Sequence, residues 1–214
     1  MKNRPRILIA DDHNLVAEMC KRLLNEEFDV IGTVSNGRAL VRAVGELKPD
    51  VIILDIAMPI LNGLDAGRQV KEILPNVKLV YLTMSTDLDV AAEAFRSGAS
   101  AYLLKTCATD ELVSAVRDAL RGKSFISPSL SRAKINFIKR QENEPGNLHD
   151  HLTERQREVL QLLAEGRVMK EIADSLCITT RTVAYHKYRL MQLTGITTNA
   201  ELIKYALRNH LVAA

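Results

Sequence analysis

The chain has 214 residues, 47% of them hydrophobic and 26% charged, which predicts one or two domains with an apolar core. No uninterrupted apolar stretch is long enough to cross a bilayer, and Asp11 and Asp12 stand where a signal peptide would need apolar residues, so we expect a cytoplasmic protein without membrane contact. The three cysteines are odd in number and far apart, which argues against a disulfide framework or a zinc site.

The first part of the chain alternates short apolar runs with helical patterns. The first helical pattern places Leu15, Met19 and Leu23, with Val16 and Leu24 beside them, on one apolar stripe, and the last ends at Gly122. The predicted strands cover residues 6–10, 28–34, 51–54, 77–83 and 100–104. Five strand–helix units predict a flavodoxin-like α/β fold, in which a doubly wound five-stranded parallel sheet has helices on both faces.

After Gly122 the alternation stops. Residues 123–150 are polar, with turn residues at both ends and a basic middle, and predict a linker with one short helix. From residue 151 onward the patterns are helical, and Thr153 and Gln156 have the spacing of a capping box. A short turn between two of these helices predicts a small all-α helix-turn-helix domain.

Charge is distributed unevenly along the chain. Residues 1–122 carry fifteen Lys or Arg against seventeen Asp or Glu, whereas residues 151–214 carry nine against six. An acidic first part and a basic last part indicate two modules with different partners. We therefore expect domains at 1–122 and 151–214, joined by the linker at 123–150.

Polar side chains stand at the carboxyl ends of four predicted strands. They are Asp11 and Asp12 after the first strand, Asp55 after the third, Thr83 at the end of the fourth and Lys105 after the fifth. Open α/β sheets bind ligands at this edge. Each such residue taken alone has an ordinary explanation as a turn, a cap or a solvated side chain. Their occurrence at successive strand ends favours one shared site.

The charges at this edge indicate a chemistry. Two carboxylates about 4 Å apart repel by roughly 4 kcal/mol at an effective dielectric near 20, so three of them need a counter-charge. A divalent cation and Lys105 supply it, and oxygen ligands favour Mg²⁺ over zinc. A metal beside a free carboxylate suits phosphoryl transfer, with Asp55 as the nucleophile that forms an acyl phosphate. Lys105 and Thr83 can bond the phosphoryl oxygens.

Six stretches of the sequence carry a resemblance to a known family. "ILIADDH", "VIILDIAMPILNGLD", "VYLTMS" and "GASAYLLK" resemble, in the right order, the receiver domain of two-component response regulators. "LTERQREVLQLLAEGRVMKEIADSL" and "TRTVAYHKYRL" extend the resemblance to a LuxR-type DNA-binding domain. The whole chain resembles a regulator of the NarL/FixJ type.

The resemblance implies a role for each matching position. Asp55 would be the phosphoacceptor, charged by a histidine kinase or a small phosphodonor. The chain would catalyse its own phosphoryl transfer and slow dephosphorylation without being an enzyme. Lys105 would pair with the phosphoryl group, and Thr83 and Tyr102 would form the switch. The ligands of Mg²⁺ would be Asp11, Asp12, Asp55 and the backbone carbonyl of Ala57.

One position departs from the receiver pattern. Receivers often have Lys-Pro after the fifth strand, whereas here Lys105 precedes Thr106. A cis bond costs ~3 kcal/mol before such a residue and under ~1 kcal/mol before proline. The resemblance therefore does not imply the geometry of this loop.

The stretch "TTRTVAYHKYRLMQLT" predicts the recognition helix that enters the major groove. Its apolar side carries Val183, Leu190 and Met191. The predicted DNA-binding residues are Thr180, Arg181, Ala184, Tyr185, Lys187, Tyr188 and Arg189. Many relatives have lysines in place of Ala184 and Tyr188. We therefore expect few charged base contacts and a preference for thymine-bearing steps, because alanine and tyrosine can contact the thymine methyl group.

The modest positive charge of the helical domain bears on how it binds DNA. A single copy should bind double-stranded DNA weakly, because affinity depends on phosphate neutralisation. Two copies on paired half-sites would bind more tightly. The resemblance places the dimer contact on the last helix, which carries Leu202 and Ala206. We expect phosphorylation to promote a homodimer and DNA binding.

Two other functions fit parts of the pattern. Aspartyl-phosphate hydrolases of the haloacid dehalogenase type also use an aspartate at a strand end, but they need a second acid two residues later, where this chain has Ala57. The other alternative is an atypical regulator or protein-interaction module that works without phosphorylation. The complete set of acceptor residues argues against that alternative, and the unusual recognition helix favours it.

Overall fold

The computed structural model describes residues 4–107, 109–128, 130, 152–209 and 211–212. Most of the predicted linker, including the region expected to hold its short helix, lies outside the described residues. Within the described residues, a parallel sheet flanked by helices comes first and a group of helices follows. The predicted fold class is confirmed.

The sheet is built from six parallel strands in the order β2-β1-β3-β4-β5-β6. The strands are β1 (Arg6–Ala10), β2 (Asp29–Val34), β3 (Val51–Leu54), β4 (Lys78–Thr83), β5 (Ala99–Leu104) and β6 (Phe125–Ile126). The helices between them are α1 (Asn14–Leu24), α2 (Gly37–Leu47), α3 (Gly63–Ile73), α4 (Leu88–Arg96) and α5 (Thr109–Leu120). The strand order reverses between β1 and β3, and this places their carboxyl ends side by side at the edge where such sheets bind ligands.

The prediction of five strands was wrong by one. The short strand β6 pairs with β5, where Ala101 lies opposite Phe125 and Tyr102 opposite Ile126. These residues fall in the stretch predicted as linker. Two residues are too few to show a strand periodicity in the sequence, and only the neighbouring edge of β5 gives them a pairing partner.

The central strand β3 explains the continuous apolar run "VIIL". Ile52 and Leu54 are buried in the hydrophobic cluster on one side of the sheet, and Val51 and Ile53 are buried in the cluster on the other side. A strand covered by helices on both faces needs apolar side chains at every position. This burial makes β3 a rigid support for the residue that follows it, Asp55.

The apolar stripe predicted on α1 meets the core only in part, through buried Leu24 and half-buried Val16. Leu15 is 85% exposed and Met19 49% exposed, whereas the buried residues of this helix are Ala17, Cys20 and Leu24. The small side chains of Ala17 and Cys20 let the helix approach the strands closely. The periodicity therefore identified part of the side that packs on the core, but it missed Ala17 and Cys20.

The second part of the chain is a separate group of helices. They are α6 (Glu154–Ala164), α7 (Met169–Leu176), α8 (Thr180–Thr194) and α9 (Asn199–Arg208), and they enclose their own hydrophobic cluster. The predicted capping box is confirmed, since Thr153 accepts the Gln156 N–H and the Gln156 side chain accepts the Thr153 N–H. Among the described residues, none of the helices has both the length and the apolar character that a bilayer crossing requires.

Candidate functional site

Acidic side chains meet at the carboxyl edge of the sheet, as the strand ends predicted. Asp11 follows β1 and Asp55 follows β3, and these two strands are hydrogen-bonded neighbours. Ligand atoms of Asp11, Asp12, His13 and Asp55 all lie within 4.8 Å of one another. Asp11 and Asp55 are almost fully buried, whereas Asp12 is exposed.

Lys105 is the counter-charge of this acidic cluster. Its Nζ lies 2.7 Å from Asp55 Oδ2 and 2.9 Å from Asp11 Oδ2. Burial raises the pKa of the Asp55 carboxyl above its usual value. Burial alone would lower the pKa of Lys105, but the carboxylates of Asp55 and Asp11 outweigh it and raise that pKa. The lysine is therefore a charged partner that lies between two buried acids.

The residues of the cluster fit a magnesium ion. Three carboxylates face one lysine, which leaves negative charge for a divalent cation to neutralise. Carboxylate oxygens are the ligands that Mg²⁺ prefers. The backbone N–H groups of Ile56 and Ala57 lie 2.7 Å and 3.4 Å from Asp55 Oδ1, so this loop also wraps the acceptor carboxylate. The contribution of the Ala57 carbonyl remains a prediction.

His13 belongs to the cluster, although no role was predicted for it from the sequence. Its Nδ1 lies 2.9 Å from Asp12 Oδ1 and 3.3 Å from Asp11 Oδ1, and its backbone N–H donates to Asp11 Oδ1 at 2.8 Å. A single histidine has many structural uses, so its type gave no signal. Its position directly after two acids at a strand end is the signal that could have found it.

The two predicted switch residues contact the same residue in the loop after β4. Thr83 Oγ1 accepts the Ser85 N–H at 3.1 Å, and the hydroxyl of Tyr102 donates to the Ser85 carbonyl at 2.9 Å. Both side chains are buried. Burial raises the pKa of Tyr102, so its hydroxyl keeps the proton that it donates. Movement of Thr83 can therefore reach Tyr102 through Ser85.

Removal of the Tyr102 hydroxyl should weaken this loop. Tyr102→Phe leaves the buried ring in place but deletes the bond to Ser85, so we expect the free energy of unfolding to fall by about 1 kcal/mol. Tyr81→Phe is the matched control, because the Tyr81 hydroxyl makes only a 3.4 Å contact, to the Gly63 carbonyl. Chemical denaturation of both variants tests this, and a larger loss for Tyr81→Phe would contradict it.

The structure also gives the conformation of the loop after β5, where Thr106 departs from the receiver pattern. The peptide bond between Lys105 and Thr106 is trans, as are the other bonds of the described residues. The Lys105 N–H donates to the Thr83 carbonyl at 2.8 Å. This bond ties the start of the loop to the end of β4, and Lys105 reaches the acids without a proline behind it.

The predicted recognition helix is α8. Thr179 caps its first turn by accepting the Thr182 N–H, and Val183 and Leu190 are buried against the other helices, as predicted. On the other side, Tyr185 is 60% exposed and Tyr188 66% exposed. Of the remaining predicted DNA contacts, those that are exposed are Thr180, Arg181 and Arg189, and those that are half-buried are Ala184 and Lys187.

The last helix, α9, shows where a dimer contact can and cannot form. Leu202 and Ala206 are buried in the core of the helical group. They are therefore packing residues of one copy of the chain. A second copy could contact this helix only through its exposed side.

Comparison with known proteins gives two family matches. A family model for the response regulator receiver domain matches residues 7–117, and one for bacterial regulatory proteins of the luxR family matches residues 150–206. The oxygen regulatory protein NreC of Staphylococcus carnosus is 34% identical, over 97% of this chain and 99% of NreC. The transcriptional regulatory protein YxjL of Bacillus subtilis is 33% identical, over 99% of each chain.

A solved structure extends this similarity to both parts of the chain. The RcsB response regulator of Salmonella enterica serovar Typhimurium, bound to promoter DNA in the presence of the phosphomimetic BeF₃⁻, is 26% identical with a TM-score of 0.59. The match covers 98% of this chain and 98% of that chain. With its receiver fold, its LuxR-type helical part and these relatives, the chain belongs to the two-component response regulators of the NarL/FixJ type, which are DNA-binding transcriptional regulators.

Proposed function

We propose that this regulator is controlled by phosphorylation of Asp55. The observation that carries the proposal is the buried Asp55 carboxylate, which Lys105 contacts at 2.7 Å inside an acidic cluster that suits Mg²⁺. A histidine kinase is the implied donor, since a receiver takes its phosphoryl group from such a kinase. The predicted cytoplasmic location agrees with a target on DNA.

The phosphoryl transfer follows from the contacts of Asp55. A carboxylate oxygen of Asp55 attacks phosphorus, a new O–P bond forms, and the bond to the donor breaks with its electron pair leaving on the donor. Lys105 can donate a hydrogen bond to a phosphoryl oxygen once Asp55 is phosphorylated, because its Nζ is already within 3 Å of two acids. Bound Mg²⁺ would neutralise phosphoryl charge, held by Asp11, Asp12, Asp55 and the Ala57 carbonyl.

The switch follows from the bonds at Ser85. If Thr83 Oγ1 turns toward the phosphoryl group, it gives up the N–H of Ser85. The Ser85 carbonyl accepts a hydrogen bond from the Tyr102 hydroxyl, so loss of the Thr83 bond frees the loop after β4 and the Tyr102 side chain to move together. A local charge change that moves a two-state loop is a common means of regulation by phosphorylation.

The output is proposed to be binding of a dimer to double-stranded DNA through α8. The exposed side of α8 would read the major groove. Arg181 and the two exposed tyrosines lie on that side. Relatives support the dimer, because one RcsB structure is described as two dimers bound to two parallel DNAs, at 25% identity and a TM-score of 0.57. The domain bounds at 1–122 and 151–214 stay part of the proposal, and they are supported by family matches at 7–117 and 150–206. Strand β6 of the sheet lies just beyond the first bound.

DNA capture tests the proposed output. Genomic fragments are captured with full-length wild type and with Asp55→Ala, each with and without treatment by acetyl phosphate and Mg²⁺. We expect tighter operator binding and more dimer after treatment of the wild type, and no change for Asp55→Ala. Equal operator affinity in all four samples would contradict phosphorylation control.

The recognition helix should also determine which DNA sequences the protein prefers. Binding-site selection from random DNA is expected to enrich thymine-bearing steps, because Ala184 and the rings of Tyr185 and Tyr188 can contact the thymine methyl group. Lys187→Ala should weaken binding to all sequences alike and reduce the salt slope by about one, as for a phosphate contact. Selection of only G-rich motifs, read by Arg181, would be inconsistent with this assignment.

A further inference from the structure

The helix α6 contacts the loop that follows the phosphoacceptor. We call residues 56–62 the acceptor loop, since they connect Asp55 to α3. Gln161 of α6 accepts the Asn62 N–H at 2.8 Å through Oε1 and donates to the Met58 carbonyl at 3.0 Å through Nε2. Glu165, just after α6, accepts the Ile60 N–H at 2.9 Å. Three backbone groups of the acceptor loop are therefore held by the helical part of the chain.

The side chains of Gln161 and Glu165 act as a pair. Gln161 Nε2 also donates to Glu165 Oε1 at 2.8 Å, and Gln161 is only 1% exposed. A buried amide with both ends bonded has one orientation, since the opposite orientation would leave donors facing donors. The pair therefore presents a fixed set of donors and acceptors to the loop.

Ile60 shows why the loop needs this support. Its φ is +71°, in the left-handed region that a β-branched residue adopts only at a steric cost. Free of other contacts, the backbone would relax toward negative φ. The bond from the Ile60 N–H to Glu165 opposes that relaxation. Ala57, the predicted carbonyl ligand of Mg²⁺, lies in the same loop only three residues earlier.

Charged and polar residues surround this contact. Arg157 Nε lies 2.6 Å from Asp65 Oδ1, Arg38 pairs with Glu158, and the Gln69 amide reaches Glu158 at 3.3 Å. A contact formed by ion pairs and hydrogen bonds is typical of the polar interfaces between domains that can move relative to each other. It also leaves Tyr185 and Tyr188 of α8 exposed, so it does not act by covering the recognition helix.

We infer that Gln161 and Glu165 are positioning residues for phosphorylation, which hold the acceptor loop in shape from the DNA-binding part of the chain. The inference rests on the proposed phosphorylation of Asp55. A movement of α6 that displaces Gln161 or Glu165, on binding DNA or a second copy, would then alter the phosphorylation of Asp55.

The test compares variants of the full-length chain. Gln161→Ala and Glu165→Ala remove the contacts to the loop, Glu165→Gln keeps an acceptor, and Gln192→Ala is the matched control on the exposed side of α8. The initial rate of phosphoryl uptake from acetyl phosphate with Mg²⁺ is measured by intact mass. We expect rates about three- to tenfold lower for the two alanine variants, as for loss of one or two hydrogen bonds, and near-normal rates for the other two.

Hydrogen exchange gives a second measurement that needs no phosphoryl group. The amides of Ile60 and Asn62 should exchange faster in the alanine variants, while the amides of β3 stay protected. The variant Ile60→Gly then distinguishes a positioning role of Glu165 from a general loss of folding. Glycine adopts positive φ freely, so Glu165→Ala should slow uptake much less in the Ile60→Gly background than alone.

Three results would overturn the positioning role. The first is an unchanged or faster uptake in the alanine variants while the wild type is phosphorylated normally. The second is equal slowing by Glu165→Ala with and without Ile60→Gly, which would indicate a loss of folding only. The third is a wild type that takes up no phosphoryl group, and this result would also remove the proposed function.

Discussion

Asp55→Asn should abolish uptake of a phosphoryl group, while the fold is retained. The amide has nearly the shape of the carboxylate and can still face Lys105, but it lacks the nucleophilic oxygen that forms the acyl phosphate. Incubation with acetyl phosphate and Mg²⁺, followed by intact-mass measurement, should show one phosphoryl group on the wild type and none on the variant.

The matched control for this variant is Asp110→Asn. Asp110 is an exposed aspartate in the first turn of α5 and does not belong to the acidic cluster, so its change should leave uptake at the wild-type level. Uptake by Asp55→Asn at the wild-type rate would show that another residue is the acceptor. It would leave the family assignment intact and remove the proposed mechanism.

Gly63→Ala should be the most destabilising small change near the site. A Cβ at Gly63 would lie 1.9 Å from the backbone oxygen of Asp55 and 2.9 Å from the Cα of Ile56. Backbone atoms cannot rotate away as a side chain can, so the acceptor loop or the start of α3 must move. We expect the free energy of unfolding to fall by roughly 3 kcal/mol, the upper range for overpacking, and phosphoryl uptake to fall with it.

Gly45→Ala provides the comparison in a helix interior. Nothing lies within 4 Å of a Cβ at Gly45, and this residue is in α2. Alanine should therefore stabilise the protein by about 0.5–1 kcal/mol through its helix propensity. Denaturation curves of the two variants should shift in opposite directions, and a Gly63→Ala protein as stable as the wild type would refute the close approach to Asp55.

The sequence was sufficient to predict the acidic cluster because the site follows a simple rule. In a parallel sheet the carboxyl end of every strand reaches the same edge, so Asp11, Asp55 and Lys105 could be assigned to one place from their positions after apolar runs. The contacts at 2.7 Å and 2.9 Å around Lys105 agree with that assignment. The same holds for the capping box at Thr153, whose signal is local.

Other features depended on contacts between distant segments, which no local pattern contains. The burial of Ala17 and Cys20 in place of Leu15 and Met19 was decided by how closely α1 approaches the sheet. Strand β6 exists because β5 offers an unpaired edge. Periodicity reports which residues share a side, but it does not report which side meets a neighbour.

The sequence by itself determined the parallel sheet, the helix-turn-helix and the acidic residues at the strand ends, because periodicity and capping are properties of short stretches and the alternation of strands and helices follows from them. Only the tertiary structure decided the place of His13 and the contact of Gln161 and Glu165 with the acceptor loop. Glu165 and Ile60 are about a hundred residues apart in the chain, and their bond forms only after both parts have folded. Such a contact has no sequence signature, because a glutamate or glutamine on a helix is ordinarily a solvated side chain.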